Sequence, residues 1–206
     1  MKNKNNKKII LDLCGGSGSW GKPYKDAGYD VRLITLPDLD VTKHGFFKKE
    51  LNFWDSKNKY TTIKVKDIYG VLCAPPCTEF SKAKSTAPRD FEKGMETIKA
   101  CLDIVWGIQV QHKLQFWVLE NPEGLLSRFL GNPPYKFYQW EFGNDRNKRT
   151  HLWGRFNEPK KIHTKKPKYV HKSAHNKNAD WYSNSSAAVR AITPEGFAKA
   201  FFEANK

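Results

Sequence analysis

Short apolar runs recur along the chain, and turn-forming residues separate them. Runs of about four to eight apolar residues bounded by turn signals are typical of strands buried on both faces of a parallel sheet. Four such runs stand at 8–13, 31–36, 71–74 and 116–119. We therefore predict parallel strands at the centre of the fold.

Apolar residues at helical spacing predict the elements that cover this sheet. A long amphipathic helix is expected over 92–111, because five apolar side chains form one stripe there. They are Met95, Ile98, Leu102, Val105 and Trp106. A short helix is expected over 20–27. A closing helix is expected over 192–202, since Pro194 stands where helices begin.

Two apolar segments near the end of the chain, 137–142 and 148–153, predict strands joined by a turn at 143–145. The fold class is then α/β, a mostly parallel sheet with helices on both faces and a terminal β-hairpin. The interval 43–67 is less regular. Its aromatic residues predict a short helix and 61–65 predicts a strand, but neither indicates a function. The aromatic residues are Phe46, Phe47, Phe53 and Trp54.

The net charge indicates a class of binding partner. The 206 residues carry a formal charge of +15, which favours a polyanion because lysine and arginine replace counterions along a phosphate backbone. Solubility alone is the alternative explanation. Aromatic residues among the basic ones favour nucleic acid over a membrane surface. No run approaches membrane-spanning length and the first residues lack a signal sequence, so we expect a cytoplasmic, monomeric, single-domain protein (residues 1–206).

The four cysteines are expected to be reduced, since they are too few for a disulfide framework in a chain this long. Cys77 stands out, because Pro75 and Pro76 end the strand before it and present the thiol at a strand tip. A thiolate there is a strong nucleophile. The alternatives are a small buried apolar residue, or a zinc quartet of Cys73 and Cys77 with His171 and His175.

Polar residues also follow the other strands. The glycine loop at 14–19 lies between strand and helix, where backbone N–H groups can hold a ligand. Asp38 and Asp40 follow the second strand at the distance where a carboxylate binds ribose, or they simply form turns. Glu120 ends the strand at 116–119, where ligands of such sheets bind; a helix cap is its alternative role.

Three segments resemble the DNA cytosine-C5 methyltransferase family, in that family's order. Pro-Pro-Cys77-Thr-Glu-Phe-Ser81 resembles its nucleophile loop, Leu119-Glu120-Asn121-Pro122 its Glu-Asn-Val segment, and Leu11-Asp-Leu-Cys-Gly-Gly-Ser-Gly-Ser19 its S-adenosylmethionine loop. Arg149 takes the middle place of a Gln-x-Arg-x-Arg segment whose flanking residues differ here. Only 40 residues, 150–189, occupy the interval of the target-recognition domain, so that domain is expected to be reduced to a basic, flexible insert at 155–189.

The resemblance implies a Rossmann-like methyltransferase fold and a set of site residues. The catalytic residues would be Cys77, which attacks cytosine C6, Glu120, which acts at N3, and Arg149, which stabilises the extruded strand. The S-adenosylmethionine site would comprise Asp12, Leu13, Cys14, Gly15, Gly16, Gly18, Ser19, Asp38, Asp40 and Pro76. The nucleic acid would meet Ser81, Lys82, Lys84, Arg89, Lys148, Lys165 and Lys166, with the loop at 81–90 closing over it.

The implied reaction is methylation of cytosine C5 in DNA, duplex or single-stranded, with the base flipped out of its stack. A partner protein would supply sequence specificity if the chain cannot. Three alternatives stay open. The same residues could methylate a structured RNA, the chain could be an inactive DNA-binding module of this fold, or Cys73 and Cys77 could form a thiol redox pair. For Lys82, Lys84 and Arg89 a solvated loop is the alternative to phosphate contact.

Overall fold

The computed structural model describes residues 5, 7–55, 57, 59–82, 84, 87–168, 170 and 187–206. A six-stranded sheet forms its centre, with strand order β2-β1-β6-β7-β9-β8. These strands are β1 (Ile9–Leu13), β2 (Asp30–Ile34), β6 (Ile68–Cys73), β7 (Phe116–Pro122), β8 (Tyr135–Tyr138) and β9 (Arg149–Arg155). The first four in that spatial order are parallel, and β9 and β8 are antiparallel. This mixed α/β architecture is compatible with the expected Rossmann-like fold.

Helices cover both faces of the sheet. They are α1 (Lys22–Asp26), α2 (Phe91–Gln109), α3 (Ser127–Leu130), α4 (Ala187–Ala191) and α5 (Glu195–Asn205). Side chains alternate along each strand, so β1 sends Leu11 toward α2 and Ile10 toward α1 and α5. The predicted long helix and closing helix are therefore confirmed within a few residues, while the first helix begins later, at Lys22.

The interval between β2 and β6 differs from expectation. The short helix predicted for its aromatic residues is wrong. A separate antiparallel sheet forms instead from β3 (His44–Phe47), β4 (Glu50–Trp54) and β5 (Tyr60–Lys64), of which only the last was predicted. Leu51, Phe53 and Ile63 are fully or almost fully buried against α2, at a spacing of two that only strands satisfy.

The terminal hairpin forms, but its first strand ends early. A tight 3-10 turn (Gln139–Phe142) follows β8 where a continued strand was predicted. A strand would alternate its side chains between the faces, whereas this turn buries Gln139, Trp140 and Phe142 together. Among the described residues, no helix is long and apolar enough to cross a membrane.

Candidate functional site at the carboxyl edge of the sheet

Cys77 lies on the loop that follows β6. Backbone N–H groups of Phe80 and Ser81 donate to the Cys77 carbonyl at 3.0 and 2.8 Å, so a tight turn holds the cysteine. Pro75 before it is buried, Pro76 is exposed, and Cys77 itself is half-buried. The thiol is therefore presented at the strand tip, as predicted.

Glu120 reaches the same edge from the neighbouring strand. Parallel pairing between β6 and β7 ends at Cys73 and Leu119, so Glu120 is the first residue of β7 beyond it. The next residue, Asn121, is 1% exposed, and its side-chain amide donates to the Pro75 carbonyl at 3.1 Å. That bond joins the tip of β7 to the loop that carries Cys77.

Lys148 supplies positive charge to both residues. Burial raises the pKa of Cys77, and the charge of Glu120 adds to this rise. The positive charges of Lys148 and Arg190 oppose it. Burial also raises the pKa of Glu120, again opposed by Lys148. The Lys148 ammonium donates to the Arg190 carbonyl at 3.3 Å, which holds it near the last turn of α4. A thiol, a carboxyl group and a cation thus share one small region.

The loop after Cys77 is tied down by its own charged residues. Glu79 accepts two hydrogen bonds from the Lys84 ammonium, at 2.6 and 2.7 Å, and one from the Asp90 backbone N–H at 2.8 Å. Arg89 donates to the backbone carbonyls of Glu79, Ser81 and Lys84. Lys84 and Arg89, predicted to meet phosphates, therefore already have partners within this loop.

The glycine loop follows β1 in left-handed backbone. Cys14, Gly16 and Gly18 have φ values of 58°, 55° and 69°. No atom of the described residues lies within 4 Å of a Cβ placed on Gly16, whereas a Cβ on Gly15 would lie 2.2 Å from Asp12 Oδ1. The loop thus rests on Asp12 at Gly15 and leaves open space at Gly16.

Asp12 is a buried carboxylate beneath this loop. Burial raises its pKa to about 7, and a hydrogen bond from the Gly21 N–H at 3.2 Å partly opposes the rise. Its second oxygen, Oδ1, has no partner among the described residues. Asp12 therefore keeps an unused acceptor at the start of α1.

The two aspartates after β2 differ. Asp40 is half-buried, accepts from the backbone N–H and hydroxyl of Thr42 at 2.9 and 2.7 Å, and helps to raise the pKa of Cys14. Asp38 is exposed. Asp40 is consequently the aspartate beside the glycine loop. The Cys14 thiol itself is hydrogen-bonded to Cys101, the largest cause of its raised pKa.

The closing segment also reaches the glycine loop. The Thr193 N–H donates to Ser19 Oγ at 3.1 Å, and the Trp20 ring lies 5.7 Å from that of Phe197. Leu13 is completely buried, so its side chain is part of the core. Of the predicted cofactor residues, the structure thus gathers those of the glycine loop with Asp12 and Asp40.

Arg149 lies at the rim rather than between Cys77 and Glu120. Its guanidinium is 3.1 Å from Glu123 Oε1 and stacks over the Tyr138 ring at 5.6 Å. Lys82 approaches the same carboxylate at 3.7 Å. Lys148, predicted to bind nucleic acid, is the residue whose charge reaches the thiol and the carboxyl group. The antiparallel pairing of β9 with β7 is what brings it there.

The remaining predicted residues are spread along the surface. Ser81 forms a bridge with Gly124, and Lys165 and Lys166 are exposed. Of the zinc alternative, His171 and His175 lie outside the described residues, and within those no cluster of side chains could hold a metal ion. Sequence reasoning missed Asn121 and Arg190 as site residues. Asn121 follows Glu120 directly in the segment that resembles the Glu-Asn-Val motif, and that position was the signal available for it.

Comparison with known proteins gives a distant similarity to a methyltransferase. The chain is similar to the Type II methyltransferase M.NmeDI of Neisseria meningitidis serogroup C, with 23% identity over 152 residues. The match covers 61% of this chain and 34% of that protein, so the chain spans about a third of the length of the relative it matches. No family model matches the sequence. The chain is therefore similar, over part of its length, to a methyltransferase.

Proposed function

We propose that the protein transfers a methyl group from S-adenosylmethionine to C5 of cytosine in DNA, through a covalent bond between Cys77 and cytosine C6. One observation carries the proposal. Cys77 follows β6, Glu120 lies near the carboxyl end of the adjacent parallel strand β7, and the charge of Lys148 acts on both. A nucleophile and a proton donor at one sheet edge are what addition to a pyrimidine ring requires.

The residues around the glycine loop fit the proposed cofactor. The loop offers open space at Gly16, Asp40 lies beside Cys14, and Asp12 has an unpartnered buried oxygen. Backbone N–H groups and carboxylates at this edge are suited to a ligand that carries ribose hydroxyls and a carboxylate. When bound, S-adenosylmethionine supplies an electrophilic methyl group.

Cys77 makes C5 nucleophilic by adding to C6. The thiol first loses its proton to solvent, and Lys148 and Arg190 stabilise the thiolate. As the sulfur–C6 bond forms, electrons move from the C5–C6 double bond toward N3. Glu120 then donates a proton to N3, and its raised pKa favours the protonated carboxyl group that this step needs.

The reaction ends when the sulfur–C6 bond breaks and the proton on N3 returns to Glu120. C5 would accept the methyl group, with S-adenosylhomocysteine as the leaving group. A base would then remove the C5 proton, and the sulfur–C6 bond would break to restore the double bond and release the Cys77 thiolate. N3 returns its proton to Glu120. A cytosine in a duplex reaches Cys77 only when it is flipped out, at a cost of a few kcal/mol. Arg149 and Lys82, at the rim, would contact the strand that carries it.

The test is transfer of labelled methyl groups to duplex DNA, single-stranded DNA and RNA in parallel. We expect Cys77→Ser to abolish transfer and to leave cofactor binding nearly unchanged, because a hydroxyl is a poor nucleophile at neutral pH. Turnover by Cys77→Ser within tenfold of the parent would reject the covalent route. Methyl transfer to RNA but not to either form of DNA would show that RNA is the substrate.

DNA that contains 5-fluorocytosine at the target provides a direct trap. Fluorine cannot leave C5 as a cation, so the sulfur–C6 bond should persist and give a denaturation-resistant complex with the parent protein. Cys77→Ser should give none. If the parent forms no such complex while it methylates normal DNA, Cys77 does not attack C6.

A further inference from the structure

The small sheet of β3, β4 and β5 has one face that no described element covers. Strand pairing places Phe46, Leu51 and Ile63 on the inner face, toward α2. Alternation then places eight residues on the other face, which we call the outer face. It comprises Gly45, Phe47, Glu50, Asn52, Trp54, Tyr60, Thr62 and Lys64.

Aromatic rings stand at both ends of the outer face. Tyr60 is 65% exposed and Phe47 is 63% exposed. The Trp54 ring meets that of Tyr60 edge to face at 6.2 Å and lies over Gly45, whose missing side chain leaves room for the indole. Core packing explains none of this exposure, because the inner face alone contributes to the core.

Polar groups occupy the middle of the face. The Thr62 hydroxyl donates to Asn52 Oδ1 at 2.7 Å, which orients the amide and directs its NH₂ group away from Thr62. That NH₂ group donates to no described residue. The Asn52 NH₂ group lies between the aromatic residues at the two ends of the outer face, where it could donate a hydrogen bond to the edge of a planar polar ring.

The charge around the outer face is strongly positive. Residues 43–66 contain seven lysines and only two carboxylates, Glu50 and Asp55. All seven lysines are exposed, and none forms a salt bridge with another described residue. Lys48 lies over the Phe47 ring at 5.5 Å, so one cation already accompanies an exposed aromatic ring. The face is therefore complementary to a polyanion.

We propose that the outer face binds single-stranded DNA, with bases stacked on Tyr60 and Phe47, Asn52 donating to a base edge, and the lysines contacting phosphates. Exposed rings accept unpaired bases, whereas paired bases in a duplex present no free face. A second copy of this chain is disfavoured, since two such lysine-rich faces repel each other. The choice of DNA rests on the proposed function, while binding itself is measurable without catalysis.

The experiment measures binding of fluorescent oligodeoxythymidine of about 12 nucleotides, within the site sizes of roughly 4–16 nucleotides known for such surfaces. Tyr60→Ala and Phe47→Ala should each weaken binding about 5- to 100-fold, the effect of one lost stacking contact at ~1–3 kcal/mol. Trp106→Ala is the matched control, because Trp106 is 62% exposed on α2 beside Asp103. It should bind like the parent, and all variants should unfold at similar temperatures.

Several results would overturn the inference. Unchanged affinity in both aromatic variants would remove the outer face from binding. A larger loss for Trp106→Ala would place the site on α2, and an equal-length RNA bound more tightly through Tyr60 would make RNA the ligand. Dimers in sedimentation that Tyr60→Ala dissolves would make the face a self-association surface. Binding that depends on Tyr60 would stand even if methyl transfer fails, so the two proposals fail separately.

Discussion

The charge of Lys148 opposes the effect of burial on the protonation of both reacting groups in the proposed mechanism. Its positive charge lowers the pKa of Cys77 and of Glu120 against the rise that burial causes. The two effects differ in consequence, because a lower pKa helps a thiolate and hinders a carboxylic acid donor. The charge of Lys148 therefore favours the thiolate form of Cys77 and disfavours the protonated form of Glu120.

We expect Lys148→Met to raise the pKa of Cys77 further, since burial and Glu120 then act without that opposing charge. At any pH below the new pKa, the thiolate fraction falls about tenfold per pKa unit. The pH profile of alkylation, followed by mass spectrometry of the Cys77 peptide, should move to higher pH. Lys136→Met, an exposed lysine on β8, is the control. An unmoved profile would contradict the role of Lys148.

At the scale of elements, the loop that carries Cys77 is clamped to the chain after β7. The Leu125 N–H donates to the Phe80 carbonyl at 2.8 Å, Ser81 bridges to Gly124, and Asn121 bonds to Pro75. These contacts surround the tip of β7 and hold the thiol in place relative to Glu120. Such positioning matters because misplacement by about 1 Å can cost about 10²-fold in rate.

Gly124→Ala tests this clamp. A Cβ there would lie 2.3 Å from the Phe80 carbonyl oxygen, so the nucleophile loop must move. We expect about 1–3 kcal/mol of destabilisation from overpacking, and a loss of methyl transfer beyond what that explains. Chemical denaturation and turnover would be measured together.

Gly70→Ala is the control for the stability effect. Its Cβ would lie 2.3 Å from the Phe116 ring, in the core on β6 and β7 and away from the nucleophile loop. It should destabilise the fold while turnover per folded molecule stays near the parent value. Equal turnover losses in the two variants would show that the clamp has no special role.

At the scale of the whole molecule, positive charge is the dominant feature of the surface. The charge of +15 includes the lysines around the outer face and the exposed Lys165 and Lys166. Phosphate contacts position a protein on DNA but carry no sequence information directly. Only 40 residues, 150–189, are available where a recognition domain would stand, and part of them belongs to β9.

We therefore expect strongly salt-dependent DNA binding and a short recognition sequence of one or two bases around the target cytosine. The logarithm of affinity should fall with the logarithm of salt by about 0.9 for each duplex phosphate contact. Bisulfite sequencing of DNA methylated by the purified protein reads the sequence preference. A strict site of four or more base pairs would show that the protein reads base edges by itself.

Local pattern alone predicted the four parallel strands of the central sheet and placed Cys77 and Glu120 at the carboxyl ends of two of them. Apolar runs between turn residues identify buried strands, and in a parallel sheet consecutive strand ends meet at one edge. The glycine loop and α2 follow from equally local signals, namely glycines after a strand and an apolar stripe at helical spacing. The placement of Cys77 and Glu120 together needed no knowledge of distant contacts.

Tertiary structure decided the small antiparallel sheet, the position of Lys148 and the burial of Asp12. The aromatic residues between β2 and β6 form strands because Leu51 and Phe53 pair across to Ile63 and Thr61, a choice made by partners rather than by propensity. Lys148 comes near Cys77 because β9 pairs antiparallel to β7, which folds residues 71 positions apart in the chain onto one edge. Asp12 becomes a buried carboxylate only when α1 covers it. Burial and long-range charge depend on which elements meet, and the order of residues along one segment does not contain that information.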